Sequence, residues 1–260
     1  LSSLKVLFQA QNLTTDNPSY EVSKKSPIFI IGMPCSGMSL LEQIITNHND
    51  VDNLGESKIL SKLVPPIINN KSTEKLVSKQ MFLSIRENYF GYLESLSKPQ
   101  SFITDRMPGN FRYVGFIISA FPEAKIVHVQ RSAEAICWSN FKHYFASKGL
   151  GYSYSLRDTV AYYGLYKDLM HFWSQTYGDR IYNLDYDNLT EDQEPETRRL
   201  IEYLGLNWEE ACLAPQNNKR SVRTASQQQV RKKVYKGSSQ AWRKYEPFLG
   251  GAFDELKAQL

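Results

Sequence analysis

The chain is poor in the residues that mark disulfide scaffolds, metal centres and membrane spans. It has three cysteines, Cys35, Cys137 and Cys212, and no C-x-x-C pair. Neither a disulfide framework nor a zinc site is expected from such a set, and no metal-ligand spacing stands out. A reducing, cytoplasmic, bacterial-type setting is therefore the default, with an upstream anchor left open. No apolar run approaches the roughly 18 residues that a membrane helix needs, and no secretory leader is visible. Excess charge is also scarce: 31 Lys and Arg against 27 Asp and Glu leave a net +4. That balance suits an anionic ligand but is too weak to argue for nucleic acid. Internal repeats and long low-complexity tracts are missing.

What is present is a hydrophobic share of 42%, enough over 260 residues for one large domain. Residues 1–26 are polar and turn-rich, and read as a short helix and linker or as the end of a missing upstream region; 27–260 read as the domain. Residues 27–31 form a short continuous apolar run ending at Gly32, the pattern of a buried parallel strand. Leu40, Leu41, Ile44 and Ile45 then recur at helical spacing. Further strands are predicted at 102–103, 125–129 and 180–184. Helices are predicted at 72–96, 110–121, 133–145, 156–177, 196–204 and 242–249. Residues 148–155 read as a flexible loop and 214–240 as irregular. Alternating strands and helices imply an α/β fold, P-loop-like, with a mostly parallel sheet flanked by helices on both faces.

The first strand turns into its helix through Gly32-Met33-Pro34-Cys35-Ser36-Gly37-Met38-Ser39. Backbone N–H groups at such a turn favour phosphate or sulfate, and Ser36 and Ser39 add hydroxyl donors. A triphosphatase needs Lys where Met38 stands, which counts against a P-loop nucleotide kinase. A thiol phosphatase needs Arg six positions after its cysteine, where this chain has Leu41. The glycine spacing alone is equally compatible with a purely structural turn.

Residues 27–44, PIFIIGMPCSGMSLLEQI, resemble the 5′-phosphosulfate loop of the PAPS-dependent sulfotransferases. The likeness is to the branch that includes tyrosylprotein sulfotransferases and repeat-fused bacterial relatives. Cys35 stands where that loop has Arg, and Met38 where it has Thr. The segment AKIVHVQRSAEAICWSNFKHYF resembles the family's 3′-phosphate strand and helix, in which Arg131 and Ser139 would hold that phosphate. Arg suits the task because its planar fork makes two charge-assisted hydrogen bonds. His143, one helical turn after Ser139, would share its face. FITDRMPGNF resembles a segment usually written T-D-K-M-P, with Arg106 at the Lys. YDNL resembles the strand end whose Tyr, here Tyr186, packs near the cofactor. The late basic stretch RTASQQQVRKKVYKGSSQAWRKYE resembles the segment that folds over the nucleotide, with Ser226, Lys233 and Lys236 as its relevant residues. Some relatives carry a basic residue where Ala241 lies.

The resemblance implies a sulfotransferase that moves the sulfuryl group of PAPS, with PAP as product, to a hydroxyl or amine acceptor by in-line displacement. The acceptor would be a peptide, carbohydrate or small molecule, and homodimerisation stays open. Glu56, in NLGES, falls where the tyrosylprotein branch has its catalytic Glu and would be the base. His48 is the second candidate. Arg106 would stabilise the sulfuryl group or bridging oxygen, with Ser226 and Ser39 donating to the same oxygens. Pro34, Cys35, Ser36, Gly37, Met38 and Ser39 would form the cofactor loop. The Cys35 and Met38 departures motivate an alternative, a PAP- or PAPS-binding protein with weak or no transfer. The aromatics at 152–154, 162–163 and 172–173 are expected mainly in the core, with an acceptor pocket as the second reading, and His128 is expected to be structural.

Overall fold

Six residues, Ser26–Ile31, form β1, buried along all but the first position. Their side chains divide by parity, as a strand's must. Phe29 and Ile31 enter one apolar cluster, and Ile28 and Ile30 enter another on the opposite face. A strand wetted on neither face is the central strand of a parallel sheet. The computed structural model describes residues 1–9, 23–68, 78–145, 149–218 and 231–258.

The sheet adds β2 (Val51–Asn53), β3 (Phe102–Asp105), β4 (Lys125–Gln130) and β5 (Ile181–Asp185). Its order is β2-β3-β1-β4-β5, and every pairing is parallel. β1 thus has β3 on one side and β4 on the other, so the loops leaving their C-terminal ends part around a crevice. Open α/β sheets bind ligands at such a switch point.

One face is covered by α1 (Ser2–Gln9), α3 (Ile59–Ile68), α4 (Lys79–Ser95), α5 (Val114–Ala120) and α7 (Leu156–Tyr177). The other is covered by α2 (Met38–Ile45), α8 (Tyr186–Glu191) and α9 (Gln193–Leu204). A smaller cluster joins α6 (Ala133–Lys142) to Trp242 and to α10 (Asp254–Ala258). The N-terminal helix is part of the core: Leu4 and Phe8 are buried, and the Phe8 ring meets Phe116 at 5.1 Å and Trp173 at 5.3 Å edge-on. Among the described residues no helix is long and apolar enough to cross a membrane.

Several expected boundaries move. Strand β2 was not expected, because three half-polar residues carry no periodic signal. The helix expected over 110–121 is a 3-10 turn, Pro108–Tyr113, followed by α5. The helix expected over 133–145 stops at Lys142, and His143 is extended (φ −97°, ψ 127°). The terminal helix is a 3-10 segment, Ser238–Phe248, with Pro247 inside it. Residues 72–77, expected to start α4, lie outside the described residues.

Candidate functional site

The loop after β1 is pinned by its carbonyls. Asn140 Nδ2 donates to the Pro34 carbonyl at 2.7 Å, and Arg131 Nη1 donates to the Cys35 carbonyl at 2.9 Å. Gly37 begins α2 without a side-chain cap, which leaves that helix end for an acceptor from outside the chain. Gly37 is also required sterically. Its φ is +110°, and a Cβ there would lie 2.1 Å from Tyr186 Cδ2. Behind the loop, Ser36 is buried, and its Oγ has no hydrogen-bond partner among the described residues. The Ser36 hydroxyl lies beneath the loop beside Gly32 and does not reach the cavity wall.

Cys35 lies in the left-handed region (φ 67°). Burial pushes its thiol up to about 11, against the pull of Arg131 and Lys142. It is a neutral thiol at physiological pH, so nothing favours it as a nucleophile.

Arg131, just past β4, is held on four sides. Its Nε donates to Ser239 Oγ at 2.7 Å and its Nη2 to Ser238 Oγ at 3.1 Å. Its Nη1 takes the Cys35 carbonyl, and its guanidinium lies 4.6 Å over the Tyr186 ring. Ser238 Oγ in turn donates to Tyr186 OH at 3.2 Å. The guanidinium thus joins the loop, β4 and the C-terminal 3-10 segment.

On the opposite side, β3 ends at Asp105, and Arg106 follows. Arg106 is buried between two carboxylates: Nε donates to Glu42 Oε2 at 2.7 Å and Nη1 to Glu56 Oε1 at 2.9 Å. Its backbone N–H donates to the Gly55 carbonyl at 2.9 Å, where a φ of +64° turns the chain toward Glu56. Burial alone would lower the Arg106 pKa, but Glu42 and Glu56 outweigh it and raise it. Glu56 stays part-exposed. Asp105 is fully buried; Tyr89 OH donates to it at 3.2 Å and Asn110 Nδ2 at 3.3 Å. Burial pushes its carboxyl up to about 8.

These two walls enclose one cavity of about 570 Å³, a volume in the range of small-ligand sites. Pro34, Cys35, Gly37, Met38, Ser39, Glu56, Arg106, Arg131, Ser139, His143, Tyr186 and Lys233 all line it.

The family profile described as "Sulfotransferase family" matches residues 27–210. The chain belongs to the sulfotransferase family. An uncharacterised protein of Aquifex aeolicus (strain VF5) is 34% identical to it over 246 residues, 90% of this chain and 32% of that protein. The protein-tyrosine sulfotransferase of Drosophila melanogaster is 23% identical over 213 residues, 77% of this chain and 42% of that protein. The chain thus spans about a third to two fifths of these relatives. Among solved structures, a mouse sulfotransferase complexed with PAP superposes with a TM-score of 0.55 at 13% identity, covering 91% of this chain and 86% of that one. At that identity the likeness concerns the fold.

Not every expected residue of this family member reaches the cavity: Ser36 is fully buried behind the loop, outside its wall. Lys236 is exposed and outside its wall, although Tyr235 before it and Ser238 after it line the cavity. Ser226 lies outside the described residues. His143 does line the cavity, but from an extended residue past the helix end. His48 is buried away from it: Nε2 is 2.9 Å from the Asn207 carbonyl, and Nδ1 accepts the Asp50 N–H. His128 is buried against Asn183 and Tyr166, and burial pushes its imidazole down to about 4. Tyr152 stacks on Tyr162 at 4.0 Å, and Trp173 is core, so the aromatic groups weighed as an acceptor pocket do not line this cavity.

The sequence reading missed Glu42, Asn140, Lys142, Ser238 and Ser239. The Gly-Ser-Ser at 237–239 was the available signal for the last two. Glu42 carried none, since one acid in an amphipathic helix ordinarily faces water.

Proposed function

We propose that this chain transfers the sulfuryl group of PAPS to a hydroxyl acceptor, leaving PAP. The observation that carries the reading is the pairing, within one cavity, of the glycine-bearing loop and an arginine wall with one accessible carboxylate among the described residues, Glu56. Bound PAPS supplies the activated sulfuryl group and its phosphate leaving group.

The uncapped start of α2, the basic residues of the wall and the volume of the cavity fit an anionic nucleotide. The loop amides with Ser39 would receive the 5′ side. Arg131 and Ser139 would hold the 3′-phosphate, with Lys142, Lys232 and Lys233 adding positive field on the same wall. Tyr186 backs the loop and orients Arg131. Glu56 would take the proton of the acceptor hydroxyl. Its Oε1 is held by Arg106, and no contact among the described residues uses Oε2. The similarity to protein-tyrosine sulfotransferases makes a tyrosine-bearing peptide the first acceptor to test.

Cys35 favours a second reading, a binder of PAP with weak transfer, because a neutral thiol replaces a cation in the loop. Titration calorimetry with PAP, ATP and GTP, followed by transfer from radiolabelled PAPS to a tyrosine peptide, separates the two. The expected result is PAP binding in preference to ATP and GTP, with transfer. Glu56→Gln should bind PAP equally well and transfer about a hundredfold or more slowly. ATP binding without PAP binding overturns the sulfotransferase reading. PAP binding without transfer favours the binder.

A further inference from the structure

Glu42 sits on α2 beside Leu41, Ile44 and Ile45, all buried, and is itself only 2% exposed. Both its oxygens are engaged. Oε1 accepts from Thr104 Oγ1 at 3.1 Å, and Oε2 accepts from Arg106 Nε at 2.7 Å. A buried ion pair recovers little more than its own desolvation cost, and apolar packing would serve stability as well. With Arg106 buried, Glu42 supplies the counter-charge that folding needs; what stability alone leaves unexplained is why an ion pair and not apolar packing stands behind Glu56.

A guanidinium is planar. Once Nε is fixed by Glu42, the direction of Nη1 is fixed too, and Nη1 is the group that grips Glu56. The Arg106 N–H also holds the Gly55 carbonyl, so the Glu56 turn is anchored at two points on one residue. A lysine ammonium, being a point charge, would set no such plane. Arg106 has two of its side-chain nitrogens committed to carboxylates.

We propose that Glu42 is a positioning residue: acting through Arg106, it fixes the Glu56 carboxylate at the cavity wall, and Arg106 serves the base rather than the transferring group. This deepens the reading of Glu56 as base and rests on it.

Two measurements test it. The first is the arginine Nε–H NMR spectrum of the ligand-free protein, with the Arg106 signal assigned through Arg106→Lys. A slowly exchanging Arg106 Nε–H should persist in Glu56→Gln and vanish in Glu42→Met, which keeps the length of the side chain and removes both acceptor oxygens. Persistence in Glu42→Met overturns the proposal. The second is transfer from PAPS to a tyrosine peptide. Glu42→Gln should lower kcat about tenfold to a hundredfold while the PAP dissociation constant stays within about twofold. In the double variant, Glu42→Gln should add nothing to the Glu56→Gln defect. A purely structural Glu42 would instead give additive losses or weaken PAP binding, and either result overturns the proposal. Thr104→Val removes the hydroxyl that braces Glu42 and also reaches the Asp52 carbonyl at 3.4 Å, and should lower kcat in the same direction if Glu42→Gln folds poorly. A wild-type protein that neither binds PAP nor transfers would refute the functional reading, while the NMR comparison still decides whether Glu42 holds Arg106.

Discussion

Asp105 offers a stability test that needs no ligand. Burial drives its carboxyl from 3.8 up to about 8, with Glu42 adding to the rise and Tyr89, Arg106 and Asn110 opposing it. The folded state therefore keeps this proton to a higher pH than the unfolded chain does. The contribution to stability is full below about pH 4, falls as pH rises toward about 8, and is flat beyond. Each unit of separation corresponds to about 1.4 kcal/mol, so the loss across the window is on the order of 5 kcal/mol. His128 acts with the opposite sign. Its folded value is about 4 against 6.5, so its contribution is lost as pH falls below about 6.5. The two slopes oppose each other between about pH 4 and 6.5, which leaves pH 6.5 to 8 to report on Asp105. Asp105→Asn keeps the shape and removes the titration. Urea unfolding at pH 6.5, 7.25 and 8 should show wild-type stability falling by about 1–2 kcal/mol more than that of the variant. The variant's advantage should grow with pH. Parallel curves for the two proteins would refute the argument.

Gly37→Ala should fold but lose PAP affinity by at least about tenfold, because the new Cβ displaces Tyr186 and strained backbone of this kind costs roughly 1–3 kcal/mol; calorimetry showing unchanged affinity would be the contrary result. Arg131→Lys gives up the fork that reaches Ser239, Ser238 and the Cys35 carbonyl. At about 1.5–3 kcal/mol for hydrogen bonds to a charged group, PAP binding should weaken by about one to two orders of magnitude, read by the same titration. Cys35 should alkylate with iodoacetamide at pH 7 about a hundredfold more slowly than a free thiol, since its thiolate fraction is suppressed. Peptide mass spectrometry following its modification against pH checks this, and fast labelling at neutral pH would contradict it.

The strands were legible where burial on both faces leaves a continuous apolar run, as at 27–31 and 125–129. They were illegible where pairing alone makes a strand, as at Val51–Asn53, which exists because β3 lends it hydrogen bonds. Helix ends were misplaced for a related reason. Lys142 ends α6, and a composition that continues Phe-Lys-His-Tyr-Phe gives no stop signal. The 3-10 turn at Pro108–Tyr113 likewise shares its local pattern with an α-helix.

For the site, residues adjacent in a motif were readable, because a loop that binds an anion must carry its glycines and hydroxyls at short spacing. Local sequence was enough to nominate Gly37, Arg131, Ser139 and Glu56, and to connect them with a family. Tertiary structure alone decided what each touches. Arg131 reaches Ser238 and Ser239 more than a hundred positions away, and Arg106 reaches back 64 positions to Glu42. Such partners are set by which strand ends meet at the switch point of the sheet. Charge and periodicity along the chain record a residue's own face, but not what packs against it, so a buried Glu42 reads the same as a solvated one until the sheet is assembled.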